Sequence, residues 1–315
     1  MKVMNVLKRK TKLERKKSLE YSESWKCYLM LAPQIIGFFV LSLYPIIWAF
    51  QKSFYFYDGV SINTRFTGLE NFFTLFKDVT YWKTWVTTLK FSILKLPIEL
   101  ILSMCLALAL TRKRTKFSGF FRTIYFLPHI ISAAIVTLVF SSLFEPFGFI
   151  NGFLMDLGMI DKPIEFLKTV SGGFTIMITT DVWMNFGVNC LYFIAALSNV
   201  DKSIYEAADL DGCMGVKRFF KITLPLIFPV AQVVCLLAIK GVLSTGTTVY
   251  LLTGGAPGGA THTVNSYILE QYVPGFSTGM PNLGYGSAMC IITSIITAII
   301  AGIYTKLSNK AKNMY

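Results

Sequence analysis

The stretch SIYEAADLDG, residues 203–212, is polar and charged, yet it lies between two long apolar runs of the sequence. The polar character continues as far as ITLP at residues 222–225. A chain that crosses a membrane has no structural need for an amphipathic insert of this length between two crossings. The stretch therefore predicts a cytoplasmic loop, residues 198–225, that another protein binds.

The composition places the rest of the chain in a membrane. Apolar residues make up 54% of the 315 residues and charged residues 15%, whereas soluble domains carry about 25% charged residues. No polar segment is long enough to form a separate domain, so we expect a single all-α integral membrane domain. The six cysteines have no metal-ligand spacing, which predicts free thiols and no zinc site.

Six apolar segments are long enough to cross a bilayer, which takes about 20 residues per helix. An even number of crossings puts both termini on the same side of the membrane. The first segment is longer than the apolar core of a signal peptide, about 7–15 residues, and we expect it to be retained as a helix. The predicted spans are 26–50, 84–110, 123–145, 173–197, 226–252 and 284–306.

The distribution of positive charge predicts the orientation. The net charge is +13, and its Lys and Arg residues cluster in alternate loops, so we attribute it to membrane topology and not to nucleic-acid binding. The positive-inside rule then places both termini and the insert in the cytoplasm. The predicted organisation is a basic cytoplasmic arm (1–25), a six-helix bundle (26–306) and a cytoplasmic tail (307–315).

Four ionisable residues stand out inside the predicted spans, where charged groups are costly and usually functional. Lys95 and Glu99 are four residues apart, so they share one helical face and are expected to form a structural pair. Asp181 and Lys240 belong to different helices at depths that allow them to meet. They either form a structural pair between helices or line a translocation path, and the sequence leaves both interpretations open.

Asp181, Asn185 and Asn189 recur every four residues and so lie on one face of the fourth span, with Trp183 nearby. An amide stripe beside an aromatic ring suits sugar recognition, because the amides bond hydroxyls and the ring stacks on the apolar sugar face. The same stripe can instead hold helices together through hydrogen bonds.

The insert itself is predicted to fold as two short helices. Ser203 followed by Glu206 predicts a capping box, in which the serine caps the first turn and the glutamate reaches back. Gly212 is expected to end this helix because glycine accepts the left-handed conformation. A second helix is predicted over residues 216–223, ending before Pro225.

The insert resembles a known signature: Glu-Ala-Ala, three residues, Gly, nine residues, Ile, one residue and Leu-Pro. This is the signature of permease subunits of binding-protein-dependent ABC importers, and its long fixed spacing makes the match specific. The chain is also similar, over about residues 26–306, to the sugar-permease branch related to maltose and multiple-sugar transporters. The signature falls on Glu206, Ala207, Ala208, Gly212, Ile222, Leu224 and Pro225.

The resemblance implies a type I ABC importer permease bundle, whose loop docks into a cleft of an ATPase subunit. Glu206 would make the polar contact with the ATPase and Gly212 would allow the sharp turn. In maltose-type relatives the helices on either side of the loop line the sugar pocket. Asp181 here replaces an asparagine of that pocket and Val188 a tyrosine, so the resemblance does not imply maltose as the sugar. The implied ATPase-coupling residues are Glu206, Ala207, Ala208, Asp209, Gly212, Leu224 and Pro225. The candidate substrate-path residues are Asp181, Trp183, Met184, Asn185, Asn189, Lys240 and Thr245.

The resemblance also implies partners: a second permease subunit, two ATPase subunits that bind ATP and magnesium, and an extracellular sugar-binding protein or lipoprotein. The chain has no Walker A motif, so we expect no cofactor on this subunit itself. The implied location is the bacterial cytoplasmic membrane, which the chain crosses several times.

Two other classes of function compete with this interpretation. An ion-coupled secondary transporter would need only Asp181 and Lys240, but it would have no use for a docking loop, and no inverted repeat is visible. A membrane-embedded enzyme would need a reactive cluster, whereas the two histidines, His129 and His262, are predicted at the inner end of the third span and in an outer loop.

Overall fold

A computed structural model describes residues 25–112, 118–273, 275–277 and 282–312. The predictions for the arm up to residue 24 and for the last three residues of the tail concern positions outside these ranges. The helices are α1 (Trp25–Lys52), α2 (Glu70–Lys77), α3 (Val79–Arg112), α4 (Ser118–Ile130), α5 (Ala133–Phe144), α6 (Phe149–Asp156), α7 (Val170–Ser198), α8 (Lys202–Leu210), α9 (Gly215–Ser244), α10 (Thr247–Thr253), α11 (Val264–Tyr272) and α12 (Leu283–Lys312).

One feature departs from the all-α expectation. After α1 the chain forms a two-stranded antiparallel ribbon, β1 (Tyr55–Phe56) with β2 (Arg65–Phe66). Tyr55 and Phe66 are paired across it with ring centroids 5.2 Å apart, and Arg65 lies over the Phe56 ring. Strands of two residues give no periodic pattern, which is why the ribbon was not predicted.

Within the described ranges, five segments are long and apolar enough to cross a membrane: Trp25–Lys52, Val79–Thr111, Ala133–Asp156, Gly215–Ser244 and Leu283–Lys310. The fourth predicted span corresponds to α7, which at 29 residues has the required length. Its polar stripe, Asp181, Asn185 and Asn189, lowers its mean hydropathy and keeps it out of this group. Six crossings therefore stay a prediction, with α7 as the sixth.

Two predicted spans, 123–145 and 226–252, are interrupted. In the first, Ser132 adopts an extended conformation with ψ 135° between α4 and α5. In the second, Thr245 is extended with ψ 109° between α9 and α10. The carbonyl ends of α9 are satisfied from α11, because Asn265 Nδ2 donates to Leu243 O at 2.6 Å and Thr263 Oγ1 donates to Thr245 O at 2.9 Å. A helix can end inside the bundle when its carbonyls find such partners.

The core is built around α3 and α7, which pack along most of their lengths. Ser103 of α3 donates its hydroxyl to the Phe186 carbonyl of α7 at 2.9 Å, which fixes their relative register. On another face of α7, Gly187 lies so close to α4 that a Cβ atom would stand 1.7 Å from the Tyr125 carbonyl oxygen. The arrangement holds α7 between α3 and α4, with α9 packed beside it.

Candidate coupling loop and substrate path

The insert does fold as a helix with a defined start, but Ser203 is not its cap. Asp201 occupies the N-cap position of α8, and its carboxylate accepts from the Ser203 N–H at 3.0 Å. That hydrogen bond lowers the pKa of the exposed Asp201 carboxyl. The predicted capping box was therefore wrong by two residues, because an aspartate in extended conformation upstream supplies the acceptor instead. Glu206 is consequently not needed for capping and is exposed.

Gly212 ends the helix as predicted. Its φ of +65° is in the left-handed region that favours glycine. The Cys213 N–H donates to Ala208 O at 2.8 Å, and the Gly212 N–H donates to Asp209 O at 3.2 Å. These two bonds form a Schellman motif, which satisfies the last carbonyls of α8 and turns the chain sharply.

The second predicted helix does not stop before Pro225. It begins at Gly215 and runs on as α9 to Ser244. A π-helical turn, Phe219–Thr223, precedes the proline, and the Leu224 N–H donates to Phe219 O five residues back. A wider turn of this kind accommodates a residue that has no N–H and that clashes with the carbonyl four residues before it. The loop is therefore joined to a membrane-spanning helix without a break.

A short set of contacts braces α8 against the start of α9. Asp209 Oδ1 accepts from Arg218 Nη1 at 2.5 Å, and the Arg218 guanidinium lies 5.5 Å from the centroid of the Tyr205 ring. Asp209 was predicted to contact an ATPase, and here it stabilises the loop through an ion pair within the chain. The bond between Asp209 and Arg218 was not predicted, because these residues are nine apart and the turn between them brings them together.

The outward surface of the loop combines exposed carboxylates, among them Glu206, with apolar side chains. Glu206 and Ala207 are exposed, whereas Ala208 is only 4% exposed and packs inward. Leu210, at 91% exposed, and Met214 extend the surface toward the tip. Leu224 and Pro225 are half-buried where the loop joins the bundle. Exposed apolar residues around a charged group are typical of a surface that binds another protein.

Inside the bundle, a buried charge cluster joins α3 to α7. Lys95 Nζ lies 2.6 Å from Glu99 Oε2, which confirms the predicted pair, and 2.7 Å from Asp181 Oδ2. Asn189 Nδ2 donates to Glu99 Oε1 at 2.5 Å. Asp181 therefore pairs with Lys95 and not with Lys240. The ends of the predicted polar stripe face α3 and hold two helices together.

The other predicted path residues on α7 lie around this cluster. Asn185 is half-buried and donates to the Asp181 backbone carbonyl at 2.8 Å. Trp183 is on a different face, 37% exposed, with its ring 5.3 Å from that of Phe140 on α5. Met184 is partly buried against the same apolar cluster as Phe140. The stripe and the aromatic ring thus do not share one surface, although both belong to α7.

On α9, Lys240 and Thr245 lie near the end of the helix that is away from the loop. Lys240 is exposed, and none of the ion pairs found among the described residues includes it. Thr245 is half-buried at the point where α9 ends, and its hydroxyl donates to Gly241 O at 3.0 Å.

A hydrogen-bonded row joins a histidine of the segment between α10 and α11 to a serine and a glutamate of α11. His262 Nε2 is 2.7 Å from Glu270 Oε2, and its Nδ1 is 3.2 Å from Ser266 Oγ. Burial lowers the pKa of His262, and the nearby Glu270 opposes this shift. Ser266 is fully buried and donates its hydroxyl to Thr263 O at 2.9 Å, so the row is a structural connection and not a nucleophile exposed to a substrate.

For metal binding, the described ranges contain no group of three or more His, Cys, Asp or Glu side chains that could hold an ion.

Comparison with known proteins relates this geometry to transport. The model of the family described as "Binding-protein-dependent transport system inner membrane component" matches residues 99–313. The lactose transport system permease protein LacF of Rhizobium radiobacter is 30% identical over 87% of this chain and 91% of its own length. The arabinooligosaccharides transport system permease protein AraP of Bacillus subtilis is 31% identical over 94% of this chain and 92% of its own.

A solved structure shares the fold. It is a chain of a bacterial ABC transporter involved in the import of the acidic polysaccharide alginate, with a TM-score of 0.78 and 24% identity. The match covers 92% of this chain and 97% of that chain.

Proposed function

The chain belongs to the family of binding-protein-dependent transport system inner membrane components, and from this premise we propose that it is the transmembrane subunit of an ATP-driven carbohydrate importer. It forms half of the translocation path and receives energy through the loop that carries Glu206, Ala207, Ala208 and Gly212. The relatives named for lactose and arabinooligosaccharides support a carbohydrate cargo, with oligosaccharides as the favoured class.

The shape of the loop is the observation that carries this proposal. The loop is capped at Asp201, closed by the Gly212 turn and braced by the Asp209–Arg218 pair. It continues into α9 without a break, so a displacement of its exposed surface moves a membrane helix. A rigid segment with an exposed carboxylate can bind an ATPase and transmit its movement to α9. A transport subunit needs such a segment when its energy comes from another protein.

The mechanism that follows is alternating access. ATP and magnesium bind two partner ATPase subunits, whose closure moves the docked loops of the permeases. The helix α7 before the loop and the helix α9 after it then shift relative to a second permease. We assign the path to the sides of these helices that carry Trp183, Met184, Asn185, Lys240 and Thr245.

The buried cluster has a supporting role in this mechanism. Because Asp181 and Asn189 bond to α3, we propose that they make α3 and α7 move as one unit and do not themselves contact the sugar. This also argues against an ion-coupled carrier, whose carboxylate would have to be free to bind and release its ion.

The exposed surface of α1 is available for contact with the second permease. The apolar window of this helix has none of its residues buried within the chain, and a helix of this length is covered by lipid or by another subunit. We propose that part of α1 packs on the second permease. We further propose six crossings that include α7, both termini in the cytoplasm, and docking of an extracellular sugar-binding protein on the outer side.

The test is co-purification with the ATPase. Glu206→Ala should leave the protein inserted but weaken ATPase association, because a hydrogen bond to a charged group contributes roughly 1.5–3 kcal/mol. Asp161→Ala, which removes an exposed carboxylate in the loop after α6, serves as the matched control and should have no effect. Full co-purification and full sugar uptake by Glu206→Ala would exclude this loop as the coupling element.

A second experiment examines the path. Asn185→Leu should reduce sugar uptake while the ATPase still co-purifies, because the half-buried amide would no longer offer hydrogen bonds. Unchanged uptake by this variant would remove Asn185 from the path. Identification of the co-purified binding protein, followed by a sugar-binding screen on it, would name the cargo.

A further inference from the structure

One face of α9 is exposed from Leu226 to Ser244. Its exposed positions recur every three or four residues, while the other faces pack on α3, α7 and α12. The half nearer the coupling loop is apolar, and the outer half is polar. The apolar half presents Leu226, Val230, Val233 and Leu237, and the polar half presents Lys240, Gly241 and Ser244.

The exposed face of α12 serves for comparison, because its large exposed side chains are aliphatic. It presents Ile295, Ile299, Ile303 and Leu307 over four turns. The outer half of the α9 face is different, because a lysine and a serine replace the aliphatic side chains. Polar and charged side chains at membrane depth face a water-filled cavity or another protein and not lipid.

The depth of Lys240 can be measured against Lys95. Thr245 and Thr88 lie at one level, because consecutive residues of α11, Thr263 and Val264, bond to them at 2.9 Å each. At about 1.5 Å per residue, Lys240 lies about 7.5 Å below that level, toward the coupling loop, and Lys95 about 10 Å below it. Lys240 is therefore at nearly the depth of a lysine that the bundle neutralises with two carboxylates.

Lys240 has no such neutralisation within the described ranges, where every ion pair involves other residues. The two carboxylates of the buried cluster, Glu99 and Asp181, already face Lys95. A cation at this depth is costly unless an anion or water meets it. The chain thus presents an unpaired positive charge on the side of α9 that the proposed function gives to the path.

We propose that the cargo is a carbohydrate with an anionic group, and that Lys240 pairs with that group during passage. This inference rests on the proposed function and narrows its substrate class. A lysine suits the role because its ammonium is a flexible point charge that can follow and release a moving anion. A carboxylate, a phosphate or a sulfonate on the sugar would each satisfy it.

The experiment uses the complete complex with its binding protein in proteoliposomes. The probes are a galacturonate oligosaccharide, glucose 6-phosphate and the neutral trisaccharide raffinose. Wild-type complex should take up at least one anionic probe, and Lys240→Gln should reduce that uptake by about tenfold or more, because a charge-assisted bond is lost. Lys240→Arg should restore part of it, and the anionic probe that is carried identifies the group.

Lys90→Gln is the matched control, since Lys90 is another exposed lysine but lies on α3 only two residues below Thr88. It should leave uptake unchanged. Uptake of raffinose alone, with Lys240→Gln unaffected, would overturn this inference and leave the proposed function intact. Loss of the second permease from the Lys240→Gln complex would also overturn it, because Lys240 would then pair across the subunit interface. A wild-type complex that binds no ATPase and carries no probe would contradict the proposed function itself.

Discussion

The cluster of Lys95, Glu99 and Asp181 holds one ammonium group and two carboxyl groups away from water. Burying an ion pair costs free energy because both charges lose their hydration, and removal of one partner leaves the other charge uncompensated. The three groups are not equivalent in this respect. Without Lys95, two carboxylates would face each other, whereas loss of one carboxylate leaves a single matched pair.

Lys95→Met should therefore destabilise the protein by roughly 3–5 kcal/mol, the usual range when a buried charge loses its partner. Glu99→Gln should cost about 1 kcal/mol or less, because the amide oxygen still accepts from Asn189 and Lys95 keeps Asp181. Thermal unfolding of the two purified variants measures the difference. Equal losses of stability would mean that Glu99, and not the charge balance, holds α3 against α7.

The sequence shows one half of this cluster and not the other. The spacing of Lys95 and Glu99 predicts their contact because both residues lie on one helix. The contact with Asp181 depends on the register between α3 and α7, which the Ser103 bond to Phe186 O and the packing of Gly187 on α4 determine. Such registers come from tertiary packing, which is why the sequence alone suggested Lys240 as a partner of Asp181.

Among the elements, α9, which follows the loop, shares with α1 a π-helical turn that lies close before a proline. In both α1 and α9 a π-helical turn comes directly before a residue that precedes proline: Phe38–Leu43 before Tyr44-Pro45, and Phe219–Thr223 before Leu224-Pro225. Proline in an apolar run suggests the end of a helix, whereas the wider turn lets the helix continue. This explains why the signature residue Pro225 was misread as a stop.

The Gly212 turn allows a test at the level of the loop. A Cβ atom at Gly212 would meet nothing within 4 Å, so any effect of substitution comes from the backbone alone. Gly212→Ala should destabilise the loop by about 1–2 kcal/mol because alanine disfavours the left-handed conformation, and Gly212→Asn should lose less. ATPase co-purification should fall in the same order. If both variants bound the ATPase as well as the wild type does, docking would not need this turn.

The crossing of α7 and α4 allows a second test at this level. Gly187→Ala would place a methyl group against the Tyr125 carbonyl oxygen, which backbone atoms cannot avoid by changing rotamers. We expect about 1–3 kcal/mol of destabilisation from this overpacking. Gly302→Ala is the control, since that helical glycine of α12 has nothing within 4 Å of the added atom. A similar melting temperature for the two variants would mean that α4 can move away from α7 freely.

At the scale of the whole molecule, α1 is the candidate membrane helix whose apolar residues are least buried by the rest of the chain. It contacts the rest of the protein mainly near its C-terminal end, through α12 and β1. The sequence predicts α1 from its apolar length, but no pattern in it distinguishes a lipid-facing side from a subunit-facing side. That distinction depends on the partner, which a single chain does not contain.

A photo-crosslinking residue placed at Ile36, in the exposed middle of α1, should join this chain to the second permease in the assembled complex. The same residue at Ile299 of α12, which is also exposed, should give mainly lipid adducts, and at buried Ile176 it should give only products within the chain. Mass spectrometry of the crosslinked bands identifies each product. Lipid adducts at Ile36 as abundant as those at Ile299 would contradict the interface on α1, because the proposed contact buries Ile36 on a neighbouring subunit and excludes lipid from it.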